Sequence, residues 1–277
     1  MEMLLSDDYT VGKALAHDFG PSEQTPEYSY LKGDITKAYT SKVKDVRRSF
    51  VFLNLDDKEQ PAAMVIYDNV ESSDASFRKY WLMHSIEEPV VKGREFTISR
   101  TLNGDSGMLK NTVLLPSKAK IETVGGPGKE FWVFGKNYPN AATSRPDPAN
   151  ERGAWRVEVC PAKAALKDNF LNVIQVADAG FKQFDKVTAI ESDTVAGAVV
   201  KDRVVIFNRD LKTMTECSFK LTAKSPTSGF KILVTDLEPG NWRVICDGKT
   251  VGDFTVDSQA GDLYFNGPCG NYNIRKM

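Results

Sequence analysis

Ala154-Trp155-Arg156-Val157-Glu158-Val159-Cys160 alternates apolar and charged side chains with a period of two. Successive side chains of a strand point to opposite faces, so Trp155, Val157 and Val159 share one face while Arg156 and Glu158 share the other. Glu95 to Arg100 repeats the pattern with Phe96 and Ile98 inward, and Thr215 to Leu221 repeats it with Cys217, Phe219 and Leu221. Phe50 to Leu55, Ala63 to Tyr67 and Arg203 to Phe207 are instead apolar at both parities, as strands covered on both faces are. Turn signals punctuate these runs at Asn103-Gly104-Asp105, Gly125-Gly126-Pro127-Gly128, Pro239-Gly240-Asn241 and Asp247-Gly248. Tight hairpins are predicted across Lys201-Asp202 and across Asp247-Gly248. No apolar stripe persists at helical spacing over three turns, and Ala162 to Leu171 could form a short helix at most. The reading is all-β: a large antiparallel β-sandwich over 1–180, followed by a smaller β-sandwich module over 181–277. The change falls in the mixed polar stretch between Asp178 and Asp193.

With 277 residues the chain is long enough for two such unequal units. Its 36 basic and 37 acidic side chains create no global field that would gather nucleic acid or an anionic membrane, so recognition of a charged ligand must be local. No run of roughly eighteen apolar residues is present to span a membrane. Met1 to Asp8 lacks a basic start and a long apolar stretch, and does not read as a secretion signal. That leaves an intracellular protein or a piece of a longer one. Ala141 to Arg152, with two prolines and small polar residues, is expected to be a mobile surface loop. Cys160, Cys217, Cys246 and Cys269 form no C-x-x-C pair and are read as isolated thiols packed as small hydrophobes.

Tyr28-Ser29-Tyr30-Leu31-Lys32-Gly33-Asp34, continuing to Tyr39, concentrates tyrosines and lysines before the apolar run that starts at Phe50. Such a segment suits either a polar loop facing a ligand or the rim of an interface. Tyr28, Tyr30, Lys32 and Tyr39, with Arg47 and Arg48, could line a groove for an anionic polymer, or serve as edge protection. Phe131 to Pro139 offers aromatic faces beside Lys129, Lys136 and Asn137; Lys129 and Trp132 would suit an acidic sugar through stacking and charged hydrogen bonds, the alternative being core packing with exposed turn lysines. The glycines before Lys129 lack the Lys-Ser/Thr pair of a phosphate loop, and no G-x-S-x-G elbow occurs. His17 and His84 are the only histidines. His17 has no further metal ligand at a recognisable spacing, and His84 is either a hydrogen-bonded histidine at a strand end or a ligand or proton-transfer group near Glu87 and Glu88.

Tyr30-Leu31-Lys32-Gly33-Asp34-Ile35-Thr36, Arg48 to Leu53, Trp81-Leu82-Met83-His84-Ser85-Ile86-Glu87-Glu88-Pro89 and Gly125 to Val133 resemble, in order and spacing, the C-terminal β region of heparinase II/III-like polysaccharide lyases. The resemblance covers Leu15 to about Val176, and the tail resembles the family's small terminal β module. It implies a sandwich that in complete members follows a helical (α/α) toroid, the toroid and a His-x-His pattern supplying tyrosine, histidines and zinc ligands for β-elimination at a uronic acid. Neither a His-x-His pattern nor a helical region occurs in this chain, so no catalytic residue and no metal ligand is carried over, and no cofactor is assigned.

What the resemblance implies is a β portion that contacts an acidic polysaccharide or oligosaccharide, of glycosaminoglycan type, without catalysing alone. A separate helical toroid domain would be its partner, and complete members are periplasmic or secreted. The alternative is a freestanding carbohydrate-binding or scaffold β protein. An enzyme using His84 with Glu87 or Glu88 is the third reading.

Overall fold

The computed structural model describes residues 11–139, 153–222 and 229–277. Met1 to Asp8 and the predicted loop Ala141 to Arg152 lie outside the described residues. An eight-stranded sheet runs in the order β1 (Lys13–Gly20), β2 (Tyr28–Asp34), β3 (Val43–Asn54), β4 (Ala62–Ser72), β13 (Lys167–Asp178), β8 (Asp105–Leu115), β7 (Glu95–Leu102) and β6 (Val90–Lys92), antiparallel throughout. A three-stranded sheet has the order β5 (Trp81–Ser85), β12 (Trp155–Pro161), β9 (Ala119–Gly125), and a short pair joins β10 (Trp132–Val133) to β11 (Lys136–Asn137).

Downstream, a five-stranded sheet has the order β14 (Val187–Glu191), β15 (Val195–Val200), β16 (Arg203–Asn208), β18 (Phe230–Val234), β21 (Leu263–Gly267). Its β16–β18 pairing is parallel and the others antiparallel. A four-stranded antiparallel sheet completes the set with β17 (Glu216–Leu221), β22 (Gly270–Lys276), β19 (Gly240–Cys246) and β20 (Lys249–Val256).

Three apolar clusters stack these sheets as four layers. Trp81, Val157 and Val159 meet Ile66, Phe170 and Ile174 between the three- and eight-stranded sheets. Tyr30, Val51 and Tyr67 meet Ala198, Val205 and Phe207 between the eight- and five-stranded sheets. Val199 and Ile206 meet Phe219, Trp242 and Ile274 between the five- and four-stranded sheets. The runs that read as apolar at both parities thus find a layer on each side: along β16, Val204 and Ile206 face one neighbour while Val205 and Phe207 face the other. Phe50 to Leu55 departs from that expectation. Val51, Leu53 and Leu55 are buried but Phe52 is 46% exposed, because the narrower three-stranded sheet does not cover this end of β3.

The short helix allowed over Ala162 to Leu171 does not form; the stretch leads into β13, which lies between β4 and β8 and is buried from Phe170 to Gln175. Covering both faces removes the period-two pattern, and a short apolar run without it cannot be told from a helix. The described residues contain no α-helix, only a 3₁₀ turn at Thr36–Ala38. Both predicted hairpins form, Val200 opposite Arg203 and Cys246 opposite Lys249, with Asp247 and Gly248 at φ 46° and 78° as a type I′ turn requires. Cys160, Cys217 and Cys246 are buried thiols, whereas Cys269 is exposed at the turn before β22.

Polar contacts rim the middle cluster. The buried Lys32 ammonium donates to Asp236, Lys231 pairs with Glu27 at 2.7 Å, Lys201 with Asp57 at 2.9 Å and Arg203 with Asp56 at 2.9 Å. Each ties the eight-stranded sheet or its loops to the five-stranded sheet or its loops.

Candidate functional site

Tyr28, Tyr30 and Lys32 do not lie on a loop. They alternate along β2, where Gly33 pairs with Arg48 in the ladder, and all three point into the middle layer at 4%, 3% and 7% exposure. The Tyr28 hydroxyl donates to Asp18 at 2.6 Å, and burial raises the pKa of Tyr30. Tyr39 follows the 3₁₀ turn and is half exposed. His84 lies exposed on the edge strand β5 opposite Arg156 of β12, in a recess with Phe131 and Tyr138. Nearby, Lys129 sits 5.7 Å over the Trp132 ring. The predicted residues therefore occupy three separate places: the interlayer seam, a cavity at Tyr39, and the β5–β10 surface.

The Tyr39 cavity, about 380 Å³, combines charge with exposed aromatic surface. Its floor is set by register: Arg48 on β3 stands opposite Asp68 on β4, and the guanidinium makes two bonds to the carboxylate, at 2.6 and 3.0 Å. Burial raises the pKa of Asp68, opposed by the Arg48 charge. Arg47, one residue earlier, faces the opposite side and donates to Asp45 and to the Leu211 carbonyl. Of the two arginines read as groove candidates, only Arg48 reaches the cavity.

The wall is the connection from β4 to β5, which carries Phe77-Arg78-Lys79-Tyr80. It is fastened by Ser76 N to Asp74 Oδ1 at 2.7 Å and by Lys79 to Asp168 at 2.8 Å. Arg78 donates to neutral partners only, Cys160 Sγ and the Pro161 carbonyl, both at 2.9 Å. Lys42 lies 5.6 Å over the Phe77 ring. Among the described residues neither Arg78 nor Lys42 has a carboxylate partner. Tyr39 and Tyr80 flank these cations at 49% and 50% exposure. Two aromatic faces beside two available cations can stack a sugar ring and neutralise its acid group. No histidine lines the cavity.

Sequence reasoning found Tyr39 and Arg48 but passed over Lys42, Phe77, Arg78 and Tyr80. An aromatic-basic-basic-aromatic quartet directly before a strand was the available signal. Among the described residues no group of three or more His, Cys, Asp or Glu side chains is placed to hold a metal ion.

Residues 189–276 match the family model described as the heparinase II C-terminal domain. A search of curated proteins returned no match. Among solved structures, the chain is similar to a mutant of the heparan sulfate lyase HepC from Pedobacter heparinus, at 12% identity and a TM-score of 0.43, over 72% of this chain and 28% of that one. It is also similar to a heparinase III gene product, at 13% identity and a TM-score of 0.38, over 68% of this chain and 26% of that one. The chain thus spans little more than a quarter of the length of these two proteins.

Proposed function

We propose that this chain is the β portion of a heparinase II/III-like polysaccharide lyase, and that it binds a uronic-acid-containing polysaccharide at the Tyr39–Arg78–Tyr80 cavity without cleaving it alone. The observation that carries this reading is the pairing of two half-exposed tyrosines with two cations that have no carboxylate partner among the described residues. The family match over 189–276 supports the lyase kinship.

Eliminating a uronoside requires neutralisation of the sugar carboxylate, a base for the C5 proton and an acid for the leaving oxygen. Arg78 and Lys42 are suited to the first task. The cavity has no histidine for the second, and in this proposal proton transfer falls to a partner, a separate helical toroid. The zinc of complete family members has no fitting ligand set among the described residues, and no step is assigned to it.

Calorimetric titration with heparan sulfate, chondroitin sulfate and alginate oligosaccharides tests the proposal. Saturable binding is expected, weakened by salt and reduced about tenfold or more in Arg78→Ala and in Tyr80→Ala, each with an unchanged melting temperature. Absence of binding at millimolar ligand would sink the binding claim. Unsaturated product accumulating with this chain alone would sink the noncatalytic one.

A further inference from the structure

A second cavity, of about 400 Å³, opens where the edge of the eight-stranded sheet meets the connection from β20 to β21. Asp18 on β1, Asp257 in the connection and Asp262 just before β21 bring three carboxylates to it, and no lysine or arginine lines it. Asp18 accepts from the Tyr28 hydroxyl, and Asp257 accepts from the Gln259 backbone N–H at 2.7 Å. Asp262 is different. It is 6% exposed, and its Oδ2 is buried without a hydrogen-bond partner. The Tyr28 hydroxyl lies within hydrogen-bonding reach of this carboxyl, yet Oδ2 stays unpartnered and an ionised Asp262 there lacks a counter-ion, which is costly in a buried site.

The walls narrow the choice of occupant. The Tyr28 and Tyr264 rings lie 4.9 Å apart and form one side, and Phe254 adds a third aromatic. His17 closes the rim through Gln259, whose Nε2 donates to His17 Nε2 at 2.7 Å. The carboxylates do not converge as metal ligands, and the volume is that of a small organic molecule rather than a bare ion. Acidic groups beside aromatic faces suit an ammonium group carried on an apolar or sugar body. The geometry points to a binding site for a small primary ammonium ligand, with Asp262 as its buried counter-ion and Tyr28, Tyr264 and Phe254 as the cradle for its carbon body.

This site is independent of the Tyr39 cavity and shares none of its lining. Its pH dependence follows from the groups facing Asp262: Asp18 and His17 from β1, Tyr28 from β2, Asp257 from the connection, and Tyr264 with the Glu27–Lys231 pair behind it. Burial, and then the Asp18 and Asp257 charges, push the Asp262 carboxyl up to about 7. A cation that binds the ionised form must displace the proton. Affinity should therefore fall about tenfold between about pH 8 and about pH 6.

Titration of the full chain with cadaverine, a diamine of lysine-side-chain length, tests the assignment against pentanediol, its neutral counterpart. Glucosamine and N-acetylglucosamine form a second charged and neutral pair, which separates an amino-sugar source from a short-chain amine. At least one amine should bind saturably while neither neutral compound binds, with the stated loss toward acid pH for cadaverine and a smaller one for glucosamine, whose own ammonium deprotonates toward about pH 8. Asp262→Asn keeps the shape and should lower amine affinity at least tenfold and abolish its pH dependence; Asp18→Asn, at the half-buried rim, should lower it less. Equal binding of charged and neutral members, no binding by either amine, or unchanged affinity in a folded Asp262→Asn variant would overturn the site.

Discussion

Asp262 connects a local structure to a measurable stability curve. Its folded pKa, about 7, lies above its ordinary value of 3.8, so the folded chain holds this proton more tightly than the unfolded chain does. The stability it contributes is complete below about pH 4, declines as the pH rises toward about 7, and is flat beyond. The loss is on the order of 4 kcal/mol for a largely buried group. Asp262→Asn should therefore melt higher than the parent at about pH 8, with the gap closing by about pH 4, as parallel calorimetric scans would report. A gap that widened toward acid would reverse the assigned direction. At the same scale, sequence legibility depended on where partners lie. Lys32 read as a ligand group because its counter-ion, Asp236, lies 204 residues away and leaves no trace in the local pattern. Tyr28 and Tyr30 read as loop residues for the same reason: their inward parity is visible only once the segment is known to be a strand with a layer above it.

At the scale of elements, strands with one covered face were legible, and strands with two were legible only where β-branched and aromatic residues ran unbroken, as in β16. β7, β12 and β17 show their alternation directly, with Phe96, Val157 and Phe219 on the inner faces. β13 hides its own, because Phe170, Asn172 and Ile174 face one neighbour while Leu171 and Val173 face the other. β15 carries a sharper constraint at Gly197. A methyl group there would lie 2.5 Å from the Val205 carbonyl oxygen and 2.7 Å from Ile206 Cδ1, closer than packed atoms allow. Gly197→Ala should cost about 1–3 kcal/mol in denaturant unfolding, by forcing β15 and β16 apart. A cost within experimental error would mean that the five-stranded sheet yields more readily than its packing implies. The candidate cavity was only partly legible, since Tyr39 and Arg48 meet Arg78 and Tyr80 through the fold of the β4–β5 connection rather than through any spacing.

For the whole molecule, the proposed division at 180/181 separates sheets and not apolar cores. The middle cluster draws Val51, Val65 and Val173 from the first part, and Ala198, Val205 and Phe207 from the second. A chain ended after residue 180 would expose the inner face of its largest sheet and strand the Lys32 ammonium without Asp236. It should be insoluble, or soluble with strong binding of an apolar dye and a broad melt, where the full chain gives one sharp transition. A soluble, dye-silent fragment with a cooperative melt would show that the eight-stranded sheet stands without its cover.

The bond from Lys32 to Asp236 also sets an order of events during synthesis. At about 5–20 residues per second, a ribosome needs roughly 10–40 s to travel the 204 residues between them. Throughout that interval the inward side of β2 has hydrogen-bonded neighbours available in β1 and β3, but no layer to cover it. Any sheet formed in that interval is half-covered, and the contact that seals it has a long sequence separation, the kind that slows folding. Placing the buried cation on the earliest part of that face keeps the waiting surface from being wholly apolar until the sheet that carries its counter-ion has been made.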